Sequence, residues 1–177
     1  MSVIKEDNIK RKLDRIGSSP VDLMFLLVWF AERRIIEMNR NNIDLFFGVI
    51  PENFDYVLSV LLYENKFVMV KNKNRKWEFT GGKRIENETI IEAAKRESWE
   101  ESGAIIEKIK LLGYYRLRDN KNVVVTLADV VYFEDMPFGY EIETRKLVNH
   151  LPEDSELSFD DGIYQKIYYF IKENYIK

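Results

Sequence analysis

Between Gly81 and Ala104 the chain reads GGKRIENETIIEAAKRESWEESGA, and this stretch gathers the residues able to do chemistry. Its pattern predicts a helix over about Thr89–Ser102. At 100° per residue, Ile90, Ala93, Ala94, Glu97, Glu100 and Glu101 fall on one stripe. An apolar, core-facing stripe thus runs into three carboxylates. Glu97 and Glu101 stand at i and i+4 with like charge, which by itself costs a helix roughly a few tenths of a kcal/mol. A solvated acidic face would normally intersperse Lys or Arg at i+3 or i+4. Glu92 and Arg96 do so on another face, where an ordinary opposite-charge pair is expected. A hard divalent cation resolves the repulsion, because Mg²⁺ takes oxygen ligands and is commonly shared between carboxylates and substrate phosphates. The chemistry expected is metal-assisted attack on a phosphate-bearing substrate.

The elements that must position this helix follow from the flanking patterns. From Asp55 the chain changes to short β-rich runs separated by polar turns. Tyr56–Tyr63 and Lys66–Lys71 flank Glu64-Asn65 as a hairpin. Asn72–Arg75 is a polar turn leading to a short strand, Trp77–Phe79, and Gly81-Gly82 permits a tight turn from strand into loop. Beyond the helix, strands are expected over Ile109–Leu117 and Val123–Phe133, joined by the turn Arg118–Asn122. A last helix, about Asp161–Asn174, should bury Ile163, Ile167, Phe170 and Ile171. Strands with helices on either side of a mixed sheet make an α/β layered domain.

Before residue 45 the chain reads as helical. Ile9, Leu13 and Ile16 share one face of a short helix that Gly17 ends. Ser19 as N-cap, Pro20 at the first helical position and Asp22 in the first turn then open a helix running to about Met38. The expected organisation is an N-terminal helical extension over 1–45 and a catalytic domain over 46–177. Leu23–Ala31, LMFLLVWFA, is apolar nearly all round and must be covered. Its own domain would serve, and so would a homodimer contact through the helix or a position over the site.

Composition closes off other classes. A chain of 177 residues, 46% hydrophobic and 32% charged, suits one globular domain with an addition. A net charge of −3 makes nucleic acid an unlikely partner, for duplex binding calls for a basic face. Cysteine is absent, which excludes a thiolate zinc site and a thiol nucleophile and fits a cytoplasmic location. No membrane span is expected, because the apolar run at Leu23–Ala31 is far shorter than the roughly 20 residues a spanning helix needs.

Gly82, Glu88, Arg96, Glu97, Glu100, Glu101 and Gly103 fit the spacing G-x5-E-x7-R-E-U-x-E-E-x-G-U, where U is a bulky aliphatic residue. In these seven fixed positions the chain resembles the Nudix hydrolase family; Ser98 and Ala104 depart from it at the two U positions. The resemblance implies an α/β/α sandwich with a mixed sheet, in which the box forms a loop–helix–loop holding Mg²⁺, or Mn²⁺ in its place. Glu97, Glu100 and Glu101 would then be metal ligands, with the Gly82 carbonyl able to contribute another. Glu88 would be an auxiliary ligand or electrostatic partner, and Arg96 would hold a box carboxylate in position. A carboxylate must take the proton of the attacking water, either within the box or from a later loop, where Glu141 and Glu143 stand. At least one of those two reads as ordinary surface charge.

Trp77-Glu78-Phe79-Thr80-Gly81-Gly82-Lys83 resembles the WEFPGGK run of MutT-like members, with Thr80 replacing their proline. That makes Trp77, Phe79 and Lys83 candidate substrate-binding residues, while Trp77 and Phe79 read equally well as strand core. The markers of the pyridine-dinucleotide, ADP-ribose and diadenosine-polyphosphate subfamilies are missing. The expected substrate is a nucleoside triphosphate, in particular an oxidised purine one, cleaved to the monophosphate and pyrophosphate. Two other readings compete: a hydrolase of the 5′-triphosphate or cap of RNA, and a non-catalytic nucleotide-binding regulator. The regulator would be expected to lose box carboxylates, and none is lost.

Overall fold

A computed structural model describes residues 43–137, 139, 141–159 and 161–176. The expected N-terminal helices, the apolar run and the homodimer contact assigned to it lie outside the described residues. Eight strands form one mixed sheet: β1 (Leu45–Phe47), β2 (Tyr56–Tyr63), β3 (Lys66–Asn72), β4 (Trp77–Glu78), β5 (Thr80–Lys83), β6 (Ala104–Arg116), β7 (Asn122–Phe133) and β8 (Ile142–Val148). Two helices join them, α1 (Ile90–Ser102) and α2 (Ile163–Asn174), with a 3₁₀ turn at Asp154–Glu156. The strand order is β1-β6-β7-β2-β3-β4, with β5 on β2 and β8 on β3. Every pairing is antiparallel except β2 with β7, which run parallel from Tyr56↔Val123 to Leu62↔Asp129.

The β2–β3 hairpin forms as its sequence predicts. Glu64 and Asn65 both adopt positive φ (50° and 60°), the turn geometry that matches the twist of paired strands. Alternation along the strands then sorts side chains onto two faces. Val57 and Leu61 of β2 join Val68, Val124, Ala128, Ala93 and Ala94 in one cluster, the α1 side. Leu58, Val60 and Leu62 join Phe67, Met69, Phe79, Ile163, Tyr164, Ile167 and Ile171 in the other, the α2 side. The helices therefore cover opposite faces.

The two faces are filled differently. On the α2 side large side chains interlock: Phe79 lies 4.8 Å from Tyr164 and Phe67 lies 5.1 Å from Tyr168, ring centre to ring centre. Each such buried side chain contributes roughly 1.5–3 kcal/mol relative to exposure. On the α1 side the helix and the start of β6 contribute Ala93, Ala94, Ser98, Ser102 and Ala104, all essentially inaccessible. Ser98 and Ser102 donate to the carbonyls one turn back, Ala94 O and Ser98 O, at 2.6 Å each. Beneath them Thr126 donates to Ser59 Oγ (3.0 Å) and Thr80 to Ser59 O (2.9 Å), so no hydroxyl is left unpaired in this small-residue layer. Ser98 and Ala104 thus occupy packing positions where the helix meets the sheet through small side chains.

Several boundaries move. The strand expected from Ile109 begins at Ala104, immediately after α1, and Thr80–Lys83, read as turn and loop, is a strand on β2. The last helix starts at Ile163. Phe170 is only partly buried, stacked on Phe47 at 3.6 Å between ring centres. β1, which spans the boundary placed at residues 45 and 46, and β8 were not anticipated. Among the described residues no helix is long and apolar enough to cross a membrane.

Candidate active site

Local sequence fixes both ends of α1. Thr89 is the N-cap in a reciprocal capping box: its side chain accepts from Glu92 N (3.3 Å), and Thr89 N donates to Glu92 Oε2 (2.8 Å). Glu92 is thereby engaged at the cap, and the ordinary Glu92–Arg96 pair expected from spacing does not form. At the other end Gly103 turns the chain with φ of 66°, and a Cβ there would sit 2.5 Å from Glu134 O. The last turn of α1 holds no basic residue of its own. Arg145 of β8 supplies one, donating to Ser102 O and Glu134 O, where a cation complements the helix dipole.

Arg96 is the hub of the site. Its Nε and Nη2 hold the two oxygens of Glu88 (2.7 and 2.8 Å), Nη1 reaches Glu97 Oε1 (2.7 Å) and Glu100 Oε2 (3.2 Å), and Nη2 also donates to Lys83 O (3.0 Å). These bonds raise the Arg96 guanidinium and hold Glu88 below the usual carboxylate range. Burial pushes Glu97 up, against the pull of Arg96. Glu101 is driven furthest: burial, with Glu97 and Glu78 nearby, pushes it up to about 8 although Gly81 N donates to its Oε2 at 2.8 Å.

The two glycines serve close approach more than a turn. A Cβ on Gly82 would stand 2.3 Å from Glu97 Oε1, and one on Gly81 would stand 2.3 Å from Val57 O. Among the described residues no three acidic side chains are arranged as a metal-ligand set, and Arg96 takes oxygens of Glu97 and Glu100. The donor chemistry nevertheless fits a hard divalent cation. The donors are all oxygen, two of the carboxylates are pushed up chiefly by burial, and Gly82 leaves open the space a side chain would fill against Glu97.

The remaining sequence candidates separate. Glu141 accepts from the buried Asn72 amide (3.1 Å) and lies near enough to raise Arg75 electrostatically. Glu143 is 57% exposed and meets Lys71 only at 3.6 Å, so it is the surface charge of the two. Lys83 is exposed, and its backbone carbonyl serves Arg96. Phe79 is 2% exposed inside the α2-side core, which corrects its reading as a ring available to a base. Trp77 is half-buried with the Lys146 ammonium 3.8 Å from its ring centre, so that face is already taken. Sequence reasoning passed over Glu78. It is 3% exposed, held by Arg75 and electrostatically coupled to Glu101. The signal was present, since Trp77 and Phe79 point to the α2 side and Glu78 between them must point to the box.

Comparison with known proteins shows the family. The NUDIX domain family matches residues 53–158. The putative 8-oxo-dGTP diphosphatase YtkD of Bacillus subtilis is 30% identical over 119 residues, covering 64% of this chain and 75% of the relative. An 8-oxo-dGTP diphosphatase of Buchnera aphidicola is 43% identical over 56 residues, 30% of this chain and 45% of that protein. Among solved structures, the Bacillus subtilis pyrophosphohydrolase BsRppH superposes with a TM-score of 0.68 at 24% identity, covering 76% of this chain and 93% of that one.

Proposed function

The chain belongs to the Nudix family of hydrolases, and on that premise we propose that it cleaves nucleoside triphosphates, oxidised purine ones above all, to the monophosphate and pyrophosphate. The observation that carries the reading is Glu97 lying against Gly82 and Glu101 accepting from Gly81 N, with Arg96 holding Glu97 and Glu100 from the same helix. The choice of substrate rests on the two relatives whose names give 8-oxo-dGTP as theirs. Mg²⁺, or Mn²⁺ in its place, would be held by Glu97, Glu100, Glu101 and the Gly82 carbonyl, and when bound supplies charge neutralisation and a more acidic water.

The chain's own groups do the rest. Arg96 keeps Glu88 ionised and clamps Glu97 and Glu100 on one side, so the carboxylates are aimed before substrate arrives. Small side chains under α1 and the Arg145 contact at its end hold the helix at a fixed height on the sheet. Lys83, the last residue of β5, is exposed and would offer its ammonium to an anionic substrate. Proton removal from the attacking water is assigned to a carboxylate of the box or to Glu141, whose orientation Asn72 fixes.

The test is a panel of 8-oxo-dGTP, dGTP and a 5′-triphosphate RNA with Mg²⁺, the products resolved by chromatography. A site that hydrogen-bonds the oxidised base should favour 8-oxo-dGTP in kcat/KM by about tenfold or more. Pyrophosphate should be the first inorganic product. Preference for the RNA would put the second enzyme class in its place. No turnover of any of the three would leave a nucleotide-binding module.

A further inference from the structure

Arg75, in the turn between β3 and β4, is tied down where a surface arginine would ordinarily swing free. Its Nη2 and Nε donate to the two oxygens of Glu78, at 3.0 and 3.3 Å. The Glu78 side chain is 4% exposed while that of Arg75 is 47% exposed. The buried carboxylate thus anchors a guanidinium whose charge remains open to solvent. Among the described residues Arg75 Nη1 makes no hydrogen bond, so one edge of the fork is unspent.

Two neighbours give that edge a use. On one side lies Glu101 of the box, near enough to interact electrostatically with both Arg75 and Glu78, while Arg96 there is wholly committed to Glu88, Glu97, Glu100 and Lys83 O. An anionic substrate approaching these carboxylates needs cationic contacts of its own. On the other side, at the β4 edge of the sheet, a cleft of about 410 Å³ is lined by Arg75, Lys76, Asp154, Ser155, Leu157 and Ser158. That volume falls within the roughly 300–1,000 Å³ of small-molecule sites. Asp154 in its wall is engaged by Gln165, and the Lys76 ammonium donates to Ser155 O, so the donors left to meet an anion here are on the outer edge of the Arg75 fork, whose inner edge holds Glu78.

We propose that Arg75, held in place by the buried Glu78, binds a phosphoryl oxygen of the nucleotide between the box and this cleft. The proposal rests on the nucleotide-hydrolase reading above and extends it to a second anion contact outside the box. A guanidinium suits the task, since its planar fork can hold a carboxylate with one edge and offer the other to phosphate.

The experiment uses the full chain with Arg75→Ala, Arg75→Lys and the double variant Arg75→Ala/Glu78→Gln. The double variant removes the unpaired buried acid that the single one leaves. Nucleotide KM and kcat, calorimetric binding of inorganic pyrophosphate with Mg²⁺, and Mn²⁺ binding without phosphate are measured for each. Arg75→Ala and the double variant should raise KM and weaken pyrophosphate binding by about tenfold or more, with Mn²⁺ affinity unchanged and partial recovery in Arg75→Lys. Wild-type KM and pyrophosphate affinity in the double variant would overturn the proposal. So would an equal loss of Mn²⁺ binding, which would place Arg75 among the supports of the box. Pyrophosphate binding that depends on Arg75 in a protein that hydrolyses no nucleotide would sink the functional reading and leave the contact standing. A wild-type chain that binds neither would sink both.

Discussion

On one face of the sheet α2 lays Ile163, Tyr164, Ile167 and Ile171 over Phe67, Met69 and Phe79, while on the other α1 meets it with Ala93, Ala94, Ser98 and Ser102. Hydrophobic stabilisation scales with apolar area removed from water, so the α2 face supplies most of it. The α1 face gives up area for closeness, with each hydroxyl tied to a neighbouring backbone or side chain. Height above the sheet decides where the last turn of α1 puts its carboxylates. The difference teaches that stability and placement are handled by separate layers of one small domain, and separate layers fail separately.

The comparison breaks most visibly on the α2 side. Phe79→Ala should cost roughly 3–5 kcal/mol in denaturant unfolding, as large-to-small core changes do. A loss under about 1 kcal/mol would mean that Phe79 is not the core residue its burial indicates. Next in size, Glu100→Gln should lower Mg²⁺-dependent turnover by about 10²-fold or more, with the metal-free melting temperature held, because it removes charge from the proposed metal site and nothing from the core. Wild-type turnover in that variant would remove Glu100 from the site.

Ser98→Leu restores the bulky residue of the Nudix pattern and sharpens the comparison. Overpacking this layer should cost roughly 1–3 kcal/mol, and lifting the carboxylates should lower turnover by about tenfold or more. A stabilised, fully active variant would refute the idea that the α1 layer is sized for closeness.

Acidity separates the faces too. Glu101 binds its proton more tightly in the folded chain than in the unfolded one, and Glu97 shifts the same way. The stability Glu101 lends the metal-free protein is complete below the unfolded carboxylate value of 4.5 and is lost as pH rises through about 8, with Glu97 acting in the same direction. The metal-free melting temperature should therefore fall from pH 5 to pH 8, less steeply in Glu101→Gln and less steeply with Mg²⁺ present. Glu88, held low by Arg96, acts with the opposite sign and only as pH falls below the ordinary range. A melting temperature flat across that interval would show Glu101 ionised throughout. The smallest effect belongs to Glu143→Gln, whose loose surface pair predicts turnover within about twofold of wild type. Glu141→Gln should fall further than Glu143→Gln; the reverse order would exchange the two.

Much of this is legible in the sequence alone. The short, nearly unbroken apolar runs YVLSVLLY and KFVMVK announce strands, and the 3.6-residue stripe from Ile90 to Glu101 announces a helix that begins in the core and ends in carboxylates. Less legible were contacts that join distant segments. β8 reads IETRKLV, whose Glu, Thr, Arg and Lys look like surface loop until β3 pairs with it and Arg145 reaches the end of α1. β1 has only three residues and exists because β6 offers it an edge. The Glu92–Arg96 expectation failed because spacing alone cannot weigh a capping box against an ion pair.

The parallel pairing of β2 with β7 has a consequence in time. Ser59 and Thr126, bonded beneath α1, lie 67 residues apart, and α1 sits between them in the chain. On a ribosome the acidic helix is therefore made before half of the platform it rests on. Its like charges at Glu97 and Glu101 gain nothing from helix formation alone, so α1 should dock late, after the chain through Phe133 has emerged. Pairings of such sequence separation place small domains on the slower, millisecond-to-second side of folding.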